Sequence, residues 1–146
     1  MNVKQWIPNV QSELFKKLDN RKHADFRGGF EPIPDIVIFS SAVDGDWRRR
    51  RRDHTIRCML VAIEVKASER AGKRLTPAEV SHDIRKLSAH REEAQHLGYD
   101  FYPMMIVVDS AREHNERMTA PGVAAAQSLS MQTGIDWRYV GPPHGL

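Results

Sequence analysis

Two short segments carry side chains whose types and spacing can do chemistry. The first is Ile63-Glu64-Val65-Lys66, which closes the apolar run Met59-Leu60-Val61-Ala62. Side chains alternate between the two faces of a strand, so Glu64 and Lys66 share one face. A carboxylate and an ammonium at the end of a buried strand are costly unless they pair or hold an ion. The second is Pro34-Asp35, which leads into Ile36-Val37-Ile38-Phe39 and lies 29 residues before Glu64. If the two runs pair antiparallel with Phe39 opposite Leu60, then Asp35 falls opposite Glu64. Cross-strand side chains stand about 5 Å apart at Cβ. Two carboxylates that close repel unless one takes a proton or a cation lies between them. A hard divalent ion such as Mg2+ suits such oxygen donors, and Mn2+ would substitute. Lys66 alongside would stabilise a phosphoryl oxyanion or orient a water.

The elements that must position these groups are legible from patterning. A helix is expected over 9–19, started by Pro8 and Asn9, with Val10, Leu14 and Leu18 on one face. A short strand or turn pair follows at 25–30. Ile36–Phe39 reads as a strand, and Ile56–Lys66 as a second one buried on both faces. Thr76-Pro77-Ala78-Glu79 is a capping box with proline at the first helical position. The helix it opens carries Val80, Ile84, Leu87, Ala94 and Leu97 as a stripe and stops at Gly98. Pro103–Val108 reads as a buried strand, 121–133 as a small-residue helix closed by Gly134, and 137–140 as a last strand. The expected class is therefore α/β: a central mixed β-sheet flanked by helices, in one domain over 1–146, with a loose tail at 141–146.

Composition limits the alternatives. The chain has 146 residues, 40% of them hydrophobic and 28% charged, which is enough for one core. No apolar run approaches the roughly 20 residues of a membrane span, and no signal-peptide h-region is visible, so no membrane partner is expected. The single cysteine, Cys58, excludes an internal disulfide and a thiolate-rich metal site, and a cytoplasmic setting is expected. The seven histidines show no paired ligand spacing with cysteine or acid. The net charge of +3 is small, but fifteen of the 22 cations are arginine, the side chain suited to planar contact with phosphate.

The cations cluster. Arg48, Arg49, Arg50, Arg51 and Arg52 follow Trp47 in a hairpin tip at 42–55, a run that binds phosphates without sequence preference. The tip would lie roughly 20 Å from the acids at about 3.3 Å per residue, so it would meet flanking nucleic acid or a protein partner. Arg70, Lys73 and Arg74 sit in the loop after Lys66, which leaves the strand at the acidic end and feeds a helix N-terminus, where anions are favoured. Arg85 and Lys86 on that helix are second-line phosphate contacts or part of a solvated face.

Taken together, Pro34-Asp35 and Glu64-Val65-Lys66 resemble the motif of the PD-(D/E)XK nuclease superfamily. The order of elements over 9–109 resembles its restriction-endonuclease-like α-β-β-β-α-β core, and the compact size is similar to Holliday-junction resolvases. The resemblance implies that Asp35, Glu64 and the Val65 carbonyl bind Mg2+, that Lys66 is catalytic, and that a first-helix glutamate, here Glu13, adds a ligand. It implies an endonuclease that hydrolyses DNA. Cutting both strands of a duplex would call for a homodimer, although no face for one can be read. Two other functions fit the same residues: a non-catalytic nucleic-acid-binding module, and a protein-interaction domain that uses the arginine run.

Overall fold

The computed structural model describes residues 7–8, 11–21, 29–30, 33–40, 57–68 and 72–141. Along them run β1 (Ile7–Pro8), α1 (Glu13–Asp19), β2 (Gly29–Phe30), β3 (Ile36–Phe39) and β4 (Met59–Ala67). Then come α2 (Pro77–His96), β5 (Tyr102–Val108), a 3-10 turn (His114–Glu116), α3 (Ala120–Thr133) and β6 (Asp136–Val140). β1 and β2 form a small antiparallel pair. The other four strands make one open mixed sheet in the order β3-β4-β5-β6. β3 is antiparallel to β4, and β4, β5 and β6 are parallel. The chain is thus α/β, with helices flanking a mixed sheet, as expected. Within the described residues, two strands rather than three precede α2 in the main sheet. The α3-β6 unit extends that sheet on its far side.

The parallel pairs require crossovers, and α2 and α3 supply them. Both crossovers step in the same direction across the sheet, so right-handed connections lay both helices on one face. That face carries Val37, Ala62, Met105, Val107, Trp137 and Tyr139, packed under Val80, Ile84 and Leu87 of α2 and Ala126 of α3. The opposite face is half open: Ile36 is 48% exposed, Ile38 47% and Tyr102 50%. The expectation that β4 is buried on both faces is corrected by this asymmetry, since Val61, Ile63 and Val65 are only half-buried.

Local sequence explains the helix ends. Thr76 Oγ1 accepts from the Glu79 N–H at 3.3 Å while the Glu79 carboxylate accepts from the Thr76 N–H at 3.0 Å. This reciprocal box satisfies two of the three open donors of α2, since Pro77 carries no N–H. α1 begins at Glu13 rather than near Asn9. Its first turn is held by the buried Glu93 of α2, whose carboxylate accepts from the N–H groups of Gln11 and Ser12 at 2.9 Å each. Burial also pushes His90 down to about 3, so this histidine sits neutral against Phe101, ring centroids 4.7 Å apart. Among the described residues, no helix is long and apolar enough to cross a membrane.

The contact between α2 and α3 is unusually close at Gly122. A Cβ there would meet Pro77 Cγ at 2.6 Å. Gly122→Ala is therefore expected to destabilise the protein by about 1–3 kcal/mol, the range for overpacking, although alanine is the better helix former. Chemical denaturation would check this; an unchanged or raised midpoint would contradict the close packing.

Candidate active site

β3 enters the sheet at Ile36, opposite Ile63. One step back in that register sets Asp35 opposite Glu64, as the sequence pattern predicts. The register slips by one residue only at the other end, where Phe39 pairs with Met59 and Leu60 bulges outwards. Asp35 Oδ2 accepts from the Val65 N–H at 2.8 Å. A strand residue turns its N–H and C=O to the same edge, so the Val65 carbonyl also faces the Asp35 side. Pro34, level with Val65 in the same register, has no N–H with which to close that carbonyl. The Pro-Asp pair thus ends the ladder and puts a carboxylate where the next ladder acceptor would be.

Glu64 points to the helix-covered face and is 6% exposed. Two residues of α2 meet it there. Lys86 Nζ lies 3.5 Å from Glu64 Oε1 and 3.4 Å from Asp83 Oδ1. Lys66 Nζ lies 2.9 Å from Asp83 Oδ2. Asp83 is itself buried. The result is a chain of alternating charge, Lys66–Asp83–Lys86–Glu64, with Asp35 beside its last member. Burial pushes Glu64 up to about 7; Lys86 opposes the rise, and Asp83 and Asp35 add to it. The Asp83 carboxylate raises the Lys66 pKa against the effect of burial, so Lys66 is held as an ammonium.

The structure brings Asp35, Glu64, Val65 and Lys66 to one end of the sheet and adds Asp83, which the sequence pattern did not single out. The signal was present: position 83 falls on the apolar stripe of α2, three residues after Val80 and four before Leu87. Lys86, read from sequence as a phosphate contact or a solvated residue, turns instead to Glu64. Glu13 is not brought to this cluster. Its side chain is 76% exposed and pairs with Lys16 at 2.6 Å. The start of α1 is anchored at Glu93, about 15 Å along α2 from Asp83 at 1.5 Å per residue.

A cleft opens beside Lys66, lined also by Ser68, Lys73, Arg74 and Glu79. Its floor is firm. The Ser68 N–H donates to the Val108 carbonyl at 3.0 Å, and Ser68 Oγ accepts from the Ala111 N–H at 3.1 Å. Arg74 Nε donates to the Asn115 carbonyl at 2.8 Å, and the Gly72 N–H donates to Glu116, which moors the loop to the 3-10 turn. Lys73 and Arg74 therefore stand near Lys66 as expected. Arg70 and Arg48 to Arg52 lie outside the described residues.

Among the described residues, no group of three or more His, Cys, Asp or Glu side chains could hold a metal. The donor set of the motif is smaller: Asp35, Glu64 and the Val65 carbonyl. Mg2+ is commonly held by one or two carboxylates with waters and substrate phosphates, so these hard oxygen donors fit it. No family model matches the chain, and neither the curated proteins nor the solved structures compared with it contain a match.

The raised Glu64 pKa has a signed consequence. In the unfolded chain this group titrates near 4.5, and in the native protein near 7. Between those values the native state holds a proton that the unfolded state releases, so rising pH lowers stability across that window. Glu64→Gln removes the effect. In metal-free buffer the variant is expected to gain stability relative to wild type as pH rises from about 5 to about 8, by urea midpoint. A difference that does not change with pH would contradict the burial argument.

Proposed function

We propose that the chain is a Mg2+-dependent endonuclease that hydrolyses DNA phosphodiester bonds, with a restriction-endonuclease-like core of the PD-(D/E)XK type. One observation carries this reading: Asp35 and Glu64 meet across adjoining strands, with Lys66 next on the Glu64 face. Asp35, Glu64 and the Val65 carbonyl would hold the ion. A bound Mg2+ would polarise the phosphate and make an attacking water more acidic.

The remaining chemistry belongs to the chain. The Val65 N–H fixes the Asp35 carboxylate at the strand edge. Lys66 is an ammonium at the mouth of the cleft and would donate to oxygens that gain charge in the transition state. Lys73 and Arg74 would grip the neighbouring backbone phosphates without reading sequence. A duplex seated there would run along the cleft edge formed by the 72–76 loop.

Cleavage of plasmid and oligonucleotide DNA with Mg2+, and with EDTA, tests the proposal. Asp35→Ala, Glu64→Ala and Lys66→Ala are each expected to lose at least about a hundredfold in rate, while Glu13→Ala keeps the wild-type rate. Undiminished cleavage by Asp35→Ala and Lys66→Ala would overturn the assignment. Binding without cleavage, at every divalent ion tried, would instead support the non-catalytic nucleic-acid module. The affinity is expected to fall steeply with salt, and Lys73→Ala and Arg74→Ala are each expected to reduce the salt slope by about 1. A flat salt dependence would rule out backbone grip.

A further inference from the structure

We propose that Lys86 is the built-in counter-ion of Glu64, and that a divalent cation binds by displacing it. The proposal rests on the metal-site reading above and concerns how that site is kept when no ion is bound. Glu64 is buried, and a buried carboxylate left without a cation is strongly unfavourable. Among the described residues, Lys86 is the ammonium nearest to it, at 3.5 Å. That separation is long for a charge-assisted hydrogen bond, which closes to about 2.7–2.9 Å. The contact is therefore an ion pair that can be given up.

Lys86 also has somewhere to go. It already lies 3.4 Å from Asp83 Oδ1, one turn back on the same helix. Its side chain is 33% exposed, so the ammonium can swing towards water on its four-carbon stem without unfolding α2. Lys66, by contrast, is closer to Asp83, at 2.9 Å, and stays in place when Lys86 moves. Asp83 thus serves as a shared anchor, which keeps one amine at the cleft and offers the other an alternative partner.

Metal binding that moves Lys86 off Glu64 but leaves it on Asp83 also changes the sign of the cluster. With all groups ionised, Asp35, Glu64 and Asp83 outnumber Lys66 and Lys86 by one negative charge. A divalent ion makes the total positive. The cluster then attracts a phosphodiester that it would otherwise repel.

The test is Mn2+ affinity by titration calorimetry on the full chain. Lys86→Met is expected to bind Mn2+ at least about tenfold more tightly than wild type. Arg85→Met, an equal loss of charge at an exposed neighbouring position, is expected to leave the affinity unchanged. No gain in Lys86→Met, or an equal gain in Arg85→Met, overturns the proposal. A second measurement needs no variant: acylation of lysines in wild-type protein, mapped by mass spectrometry. Mn2+ is expected to raise labelling of Lys86 relative to Lys16; unchanged labelling overturns the proposal. Glu64→Gln separates this failure from that of the underlying reading. If Glu64→Gln abolishes Mn2+ binding while Lys86 proves indifferent, the metal site stands and only the displacement fails. If Glu64→Gln binds as wild type does, both fail.

Discussion

The burial of the Glu64 carboxylate between sheet and helix is the constraint around which this structure is arranged. A charge in that position must be compensated, and the chain supplies compensation from two elements. β4 brings Lys66 two residues on, and α2 brings Asp83 and Lys86 down on the same face. The rest of that face is largely small or apolar, which makes an uncompensated charge there costlier. Ala62 lies directly before Glu64 on it and is fully buried, which lets α2 approach closely.

The position of the cluster follows from topology. β4 is the strand at which the sheet changes from antiparallel to parallel pairing. Its C-terminal end faces the start of β3 on one side and the C-terminal end of β5 on the other. A carboxylate from the residue before β3, an acid and an amine from β4, and two charges from α2 reach one place for that reason. No residue from β6 is needed. The same end of the sheet carries Asp109, whose Oδ2 accepts from the Met118 N–H at 3.0 Å and the Tyr139 hydroxyl at 2.7 Å. These bonds tie β5 to the second crossover and to β6.

Much of this was legible in the residues. β3 needs only four β-branched or aromatic positions after Pro-Asp, and its bounds agree with the pattern. The sequence pattern pairs Asp35 with Glu64 by setting Phe39 opposite Leu60; the structure pairs Phe39 with Met59 instead and keeps the expected register from Ile38 back to Ile36. The helix over 77–96 announces itself by a capping box. What the pattern could not give was three-dimensional. The start of α1 depends on Glu93, a residue 81 positions away from Ser12 that caps its first turn. Asp83 looked like one of many helix acids until the sheet placed Lys66 beneath it. The open rear face of β4 reflects the common handedness of two crossovers, which no local run of residues encodes.

Soaking crystals in Mn2+ and collecting anomalous diffraction tests the central claim most directly. One strong peak is expected between Asp35 and Glu64, about 2 Å from an oxygen of each, with the Val65 carbonyl directed at it. A structure in which these two carboxylates diverge, or in which Mn2+ settles elsewhere while they stay empty, would contradict it.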